Sequence, residues 1–411
     1  MNPPTCETHD AIIVGGGPAG TSTAIRLAMR GARVLLVEQK TFPRPKLCGE
    51  FISPECLTHF ARLGVMDQMS AAGGKEVTET VFYARGGSRV VMPSEWLPGR
   101  SHTALGLSRA EMDQRLLTRA RAAGVEVLEE AQAKSLIVEG GQARGVRVRI
   151  GGEEESRRAL ITIDATGRLR ALARRIDSGT SAPERAVNKR ATLVAFKAHF
   201  ENAQGGERAC EIYFYRGGYG GLSVVENNRS NLCFIASARD VRARGGDAWR
   251  VLREVVMSNR RAAEALRGAR LSSPWLSVAL EQFGRRAPVP VRGLIAVGDA
   301  ASFIDPFTGS GMLMALESGE VAAETILRHL PSLHQGDSFD ALSRDYNALY
   351  DKRFGARLRV CAWLRRAAFA PPAVIEAAIL TLGTSARARR MLARATRRDD
   401  SGGGREALSR S

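Results

Sequence analysis

The chain has 411 residues, 44% of them hydrophobic and 25% charged, with a formal net charge of +17. At ~150 residues per domain this length holds two or three structural units, and the composition excludes collagen-like, coiled-coil and mainly disordered proteins. The positive charge raises a nucleic-acid reading, which depends on where along the chain the charge lies.

The first forty residues carry the densest signal. Asp10–Val14 is a short apolar run rich in β-branched residues and predicts a buried parallel strand. GGGPAG follows at once, placing Gly15, Gly17 and Gly20 in a GxGxxG pattern with Pro18 and Ala19 between them. Residues Ala19–Arg30 then predict a helix that Gly31 stops, and Arg33–Val37 a second strand ending at Glu38. Each part suits a bound dinucleotide. Gly15 permits the tight turn, Gly17 lets a pyrophosphate approach the backbone, and Gly20 allows close helix–strand packing. The helix start offers free N–H groups to the phosphates, and Glu38 can accept hydrogen bonds from ribose hydroxyls.

The Pro- and Gly-containing stretch KTFPRPKLCGEFISPE, which includes Arg44, Cys48 and Glu50, predicts a loop. Ser108 and Glu111 form a capping box for a helix to about Ala123, with Arg109 at its start. A strand is expected over Val125–Leu128, and another over Leu160–Gly167 in which Asp164 shapes the turn. Alternating apolar residues over Ala191–Ala238 predict antiparallel strands. Phe196, Tyr213, Tyr215 and Tyr219 are the aromatic candidates for a pocket on their inward face. GGYGG at Gly217–Gly221 lacks a following helix, so only one dinucleotide turn is present. Trp249–Leu266 predicts a helix. Leu294–Val297 is again strand-like, followed by Gly298, Asp299 and DPFTGSGM, with Pro306, Gly309, Gly311 and Met312 before a helix reaching Leu330. A carboxylate such as Asp299 can bind a ribityl chain, and a helix start at the flavin N1/C2=O edge stabilises reduced flavin.

GGGPAG with Glu38, GDAA at Gly298 and DPFTGSGM at Asp305 resemble the FAD-dependent oxidoreductases related to aromatic hydroxylases and geranylgeranyl reductases. The resemblance covers about the first 330 residues. It implies FAD as cofactor, with contacts from Gly15, Gly17, Pro18, Ala19, Gly20, Glu38, Arg44, Arg109, Gly298, Asp299, Pro306, Gly309, Gly311 and Met312. It also implies an α/β (α+β) fold: a discontinuous Rossmann-type FAD-binding domain over 1–75, 100–185 and 285–335, and an antiparallel β-sheet substrate domain over 76–99 and 186–284. A C-terminal helical region over 336–400 and a disordered tail over 401–411 complete the division.

The catalytic residues are not identified by this reading. Cys48, Glu50 and Tyr219 are candidates, Cys48 as a flavin or substrate neighbour and Glu50 as an acid/base group or a solvated loop acid. The expected function is an NAD(P)H-using monooxygenase acting on an apolar or aromatic small molecule, with NAD(P)H visiting transiently because no nicotinamide domain is visible. The alternatives are a geranylgeranyl-reductase-like alkene reductase of an isoprenoid and a flavin-binding electron carrier to a membrane quinone. Between the first two, the prenyl-reductase aromatic motif missing after Gly218-Tyr219 favours hydroxylation. The four scattered Trp residues argue against a halogenase.

At the C-terminal end, residues 352–411 hold 14 basic and 4 acidic side chains, nearly all of the basic ones Arg. No recognition motif accompanies them, so no nucleic-acid partner is expected. Between Arg357 and Arg398 basic and apolar residues mix. That pattern suits a helical cover on an anionic membrane surface, or a packed tail with a solvated arginine face. The six cysteines form no CxxC pair and the histidines no HExxH, so no metal is expected. Neither a signal peptide nor an apolar run of ~18 residues is found, which points to the cytoplasm, with peripheral membrane contact left open.

Overall fold

A computed structural model describes residues 8–99, 101–177, 191–281, 283–395 and 397. The expected disordered tail and the 185/186 boundary lie outside these residues. The first sheet grows from the strand His9–Val14, whose apolar run is buried on both faces. Val34–Val37 pairs parallel with it on one side and Glu153–Asp164 on the other. Glu126–Leu128 extends the parallel set beyond Val34–Val37, and Leu294–Ala296 beyond Glu153–Asp164. The register aligns Val37, Val14, Asp164 and Ala296. The chain therefore leaves four neighbouring strands at one edge, where ligands of doubly wound sheets bind. The strand expected over Leu160–Gly167 starts earlier, because its first half pairs antiparallel with Gln142–Ile150, which in turn pairs with Gln132–Glu139.

The helix Pro18–Ala28 lies between this sheet and the long helix Gly311–His334. The approach is close: a Cβ on Gly319 would stand 2.8 Å from the Ala19 carbonyl oxygen and 3.0 Å from the Ser22 Cβ. Asp340–Ala368 follows, and its first half belongs to the same core through Tyr346, Tyr350 and Phe354. The Tyr346 hydroxyl donates to the Ala296 carbonyl at 2.8 Å, so the helix is bonded to the sheet as well as packed near it.

The second sheet runs from Leu193–Glu201 through Ser230–Ser237, Gly218–Val224 and Ala209–Tyr215, all antiparallel as expected. Leu276–Leu280 and Arg270–Leu271 add to its first edge. The other edge lies outside the span Ala191–Ala238 for which antiparallel strands are expected. Glu79–Tyr83 joins Ala209–Tyr215 in parallel, because the chain reaches that position through a long excursion rather than a hairpin. Arg89–Pro93 completes the sheet.

The helix expected over Trp249–Leu266 is broken. Ala248–Glu254 and Arg260–Leu266 are separate helices, and buried Asn259 begins the second by accepting from the Ala262 N–H at 3.1 Å. Its amide also donates to the carbonyls of Tyr83, Ala84 and Phe214, a demand that a continuous helix could not meet. After Ala368 the chain bends by 119° into Pro372–Gly383, and Ala386–Ala395 follows.

Candidate active site

Gly15 leaves the first strand at φ +112°, and a Cβ there would stand 2.4 Å from the Ala165 carbonyl oxygen. A Cβ on Gly20 would stand 2.0 Å from the Gly15 carbonyl oxygen, so the helix can reach the turn only without one. Gly17 differs. It is the N-cap of Pro18–Ala28, no side chain caps that helix, and the nearest atoms to a Cβ there are Arg109 Nη2 at 3.9 Å and Lys46 Nζ at 4.0 Å. Free backbone N–H groups therefore face open ground flanked by two cations, the arrangement that binds phosphate.

The cations are held there by other parts of the chain. Ser108 caps the helix Arg109–Ala122, its hydroxyl accepting from the Glu111 N–H, but the other half of the expected capping box is replaced: the Ser108 N–H donates to Glu226 at 2.9 Å, and Glu111 pairs with Arg115. Arg109 is buried and grips Asp113 with two hydrogen bonds of 2.9 and 2.7 Å. Burial works against its charge, but Asp113 and Cys48 more than offset that, so its guanidinium stays protonated. Lys46 has no carboxylate at ion-pair distance among the described residues. Burial, and then the Arg109 charge, press its ammonium below the ordinary lysine value. Two like charges crowded in this way gain from an anion between them.

Glu38 is buried at the end of the second strand, where its carboxylate accepts from the Gly16 N–H at 2.8 Å and the Lys40 N–H at 3.0 Å. Arg44 lies 3.6 Å from that carboxylate and 4.9 Å above the Phe42 ring. Asp164 bonds Thr166, Leu172 and Ala173 and so shapes its own turn, as expected.

The far end of the chain meets the first here. A Cβ on Gly298 would stand 2.8 Å from that of Ala19 and 3.7 Å from that of Ala315, so Gly298 sits between the two long helices. Asp299 follows it. Burial pushes its carboxyl up, against the pull of Lys46, Arg109 and Arg168. Pro306 and Gly309, the latter at φ +60°, lie in the turn before Gly311–His334. Like the first helix, that one starts without a side-chain cap, and a Cβ on its Gly311 would meet nothing within 4 Å. Met312 follows in the open first turn. Two uncapped helix starts, two cations and one acid thus border the same strand edge. A dinucleotide with a diphosphate and a ribityl chain fits these donors.

The candidate catalytic residues separate into two places. Glu50 is 0% exposed and neither solvated nor free. Its carboxylate accepts from the Arg109 N–H at 2.8 Å, bonds His199 at 2.7 Å and pairs with the Lys197 ammonium. Burial would raise its carboxyl, but the His199 hydrogen bond and the Lys197 charge hold it below the usual range. Glu50 also has a left-handed φ of 54°, which costs a non-glycine residue about 1 kcal/mol and which the ion pairs hold in place. It therefore fixes the loop that carries Cys48 and Gly49. The Cys48 thiol accepts from the Glu50 N–H at 3.4 Å, and the Cys48 carbonyl from Asn231 at 3.2 Å.

Tyr219 stands elsewhere, donating to Asp305. Asp305 also accepts from the Phe307 N–H at 3.0 Å and pairs with Arg365 at 3.2 Å. Burial and then Asp305 drive the Tyr219 hydroxyl well above its ordinary value, so it holds the glycine loop rather than releasing protons. Asp305 lies in the DPFTGSGM motif, but Lys197, His199, Asn231 and Arg365 have no sequence motif to mark them. Only the pairing of distant strands and helices brings them to the site.

A cavity of about 370 Å³ opens beyond this loop. Gly49, Pro306, Phe307 and Gly309 form its inner end, Phe82, Ile212 and Phe214 its sheet wall, and Leu364, Ile375 and Ile379 the facing helical wall. The aromatic lining differs from the expected one. Phe196, Tyr213 and Tyr215 point to the opposite side of the second sheet and pack with the helices after residue 238. Strand alternation gives the cavity Ile212 and Phe214 instead. The C-terminal helices are walls of the pocket, and Arg397 donates to the Thr308 carbonyl at 3.2 Å from their end.

Comparison with known proteins agrees with this geometry. Residues 8–331 match the FAD binding domain family. The chain is similar to digeranylgeranylglycerophospholipid reductase 2 of Methanopyrus kandleri, 26% identical over 84% of this chain and 83% of that protein. Among solved structures it is similar to the myxobacterial chondrochloren halogenase, with a TM-score of 0.72 and 25% identity over 84% of this chain and 79% of the other. It shares the fold of a geranylgeranyl bacteriochlorophyll reductase-like protein from Thermoplasma acidophilum, with a TM-score of 0.75 and 21% identity over 95% and 96% of the two chains.

Proposed function

Because the chain belongs to the FAD binding domain family and is an FAD-dependent oxidoreductase, we propose that it reduces carbon–carbon double bonds in a long apolar substrate. The observation that carries this reading is the apolar cavity, which begins at the glycine loop and runs outward between the second sheet and the C-terminal helices. Its walls offer hydrocarbon rather than hydrogen-bond partners, which suits an isoprenoid-like chain. The curated relatives with matching length, named as reductases of a digeranylgeranyl lipid, support the same choice over the hydroxylation expected from the missing aromatic motif.

In this proposal the Gly17 turn, Lys46 and Arg109 hold the diphosphate, and Glu38 holds the adenosine ribose. Asp299 holds the ribityl chain, and the start of Gly311–His334 faces the flavin ring. When bound and reduced, FAD would supply a hydride to one alkene carbon, and a proton from solvent would complete the other. The chain supplies the surroundings. Phe307 and Gly309 on one loop and Gly49 on another line the inner end of the cavity, with the Glu50 cluster and the Tyr219–Asp305–Arg365 network fixing the two loops. The cavity walls exclude water from the substrate. The reductant is NAD(P)H or another donor that visits from outside.

Anaerobic turnover tests the proposal. Holoprotein reduced with NADPH or dithionite and mixed with a geranylgeranyl lipid without O₂ should yield a product heavier by two hydrogens per flavin reoxidised. Reoxidation that requires O₂ and adds an oxygen atom to the product would sink the reading in favour of hydroxylation.

A further inference from the structure

We propose that the outward side of the helices Pro372–Gly383 and Ala386–Ala395 docks on an anionic lipid bilayer, and that the apolar substrate enters the cavity from it. The proposal rests on the apolar-cavity reading above. Among the described residues eight large apolar side chains are exposed; Val374, Leu380 and Met391, at 55%, 58% and 75%, lie on these two helices, and Trp363, at 61%, lies near the end of the helix before them. The others, Met29, Val138, Leu169 and Leu271, are scattered along the chain.

Apart from Glu376 and Thr381, the helix Pro372–Gly383 is apolar on every side. Ile375 and Ile379 are buried against the cavity, while Val374 and Leu380 point outward. A helix apolar on every side calls for apolar matter on both. Its one charged residue, Glu376, is half-buried.

The next helix places Arg387, Arg390, Met391 and Arg394 at positions i, i+3, i+4 and i+7, all exposed and therefore on one stripe. No acidic residue occurs between Glu376 and Arg397. A single-sign arginine stripe beside outward apolar side chains matches acyl chains below anionic headgroups. Trp363 and Val374 are both exposed and part of the cavity lining, so the mouth of the pocket opens on this same ground. No single described helix is long and apolar enough to cross a bilayer, and the 119° bend after Ala368 suits helices lying on its surface.

Flotation of the full-length holoprotein with phosphatidylglycerol/phosphatidylcholine vesicles tests this. Binding is expected to phosphatidylglycerol vesicles at about 0.1 M NaCl, and to weaken with phosphatidylcholine alone or at about 0.5 M NaCl. Arg387→Glu with Arg394→Glu should lower the partition coefficient at least about thirtyfold, each arginine near such a surface being worth roughly a factor of five. Val374→Ser with Leu380→Ser and Met391→Ser should lower it too. Both variants should keep parental circular dichroism and FAD content.

Pyrene fluorescence in the vesicle-free protein reads the cavity separately. The arginine variant should take up pyrene as the parent does. Parental flotation of both variants, or equal binding to neutral vesicles, overturns the docking proposal while pyrene uptake leaves the cavity reading standing. Loss of pyrene uptake by the parent overturns the cavity reading. A concentration-dependent dimer that the arginine variant abolishes, without any vesicle binding, assigns the face to a second copy and overturns the membrane.

Discussion

Lys197→Met tests the buried cluster that fixes the loop carrying Cys48 and Gly49. The substitution keeps the side-chain volume and removes the ammonium that pairs with Glu50, leaving His199 and the Arg109 N–H as the described partners of a carboxylate that is 0% exposed. Breaking a buried pair by removing one partner costs about 3–5 kcal/mol. With two contacts surviving, a loss of about 3 kcal/mol is expected at pH 7. The pH dependence has a definite sign. In the parent the folded Glu50 carboxyl lies below its ordinary value of 4.5. It contributes stability that is fully present above that value and lost as pH falls through the folded one. In the variant, burial is less fully opposed and the folded carboxyl moves upward. Charged Glu50 then weakens the fold at neutral pH, and protonation relieves it. The difference between parent and variant should therefore be widest near pH 7 and shrink as pH falls through the acid range. Urea unfolding of the holoprotein at about pH 7 and about pH 4.5, followed by tryptophan fluorescence, measures it. A loss below about 1 kcal/mol at pH 7, or one unchanged by pH, would refute an ionised Glu50 held by Lys197.

Two glycine substitutions should separate folding from cofactor binding. Gly20→Ala drives a Cβ to 2.0 Å from a backbone oxygen and should prevent soluble expression, whereas Gly17→Ala has 3.9 Å of clearance and should fold normally but bind FAD at least about tenfold more weakly. Parental FAD affinity in Gly17→Ala, by flavin fluorescence titration, would remove the phosphates from this turn. Asp299→Ala should cost a charge-assisted hydrogen bond of about 1.5–3 kcal/mol, read as roughly ten- to a hundredfold weaker FAD binding. An unchanged Kd would show that the acid does not touch the cofactor. Ile379→Trp narrows the cavity wall and should raise KM for the apolar substrate while leaving FAD content unchanged. A fall in FAD content alone would place this wall against the cofactor instead.

Local sequence determined the dinucleotide turn. The strand, turn, helix and second strand lie within His9–Val37, and the local requirements are met by neighbours in the chain: a positive φ at Gly15, no Cβ at Gly20 against the Gly15 carbonyl, and an acid after the second strand. Asp299 and the glycines at Gly309 and Gly311 were legible for the same reason, as short stretches joining a strand to a helix. Tertiary structure alone decided the partners of Glu50, because Lys197 is 147 positions away and nothing in an alternating strand marks one of its residues as an ion-pair partner. It also decided which face of the second sheet lines the cavity. Both faces of that sheet are buried, so alternation by itself cannot tell Tyr213 and Tyr215 from Ile212 and Phe214. The arginine-rich end reads in sequence as a tail, and becomes a wall of the pocket only because the chain turns back after Ala368 and sets Ile375, Ile379 and Arg397 beside a loop that local sequence could not bring near them.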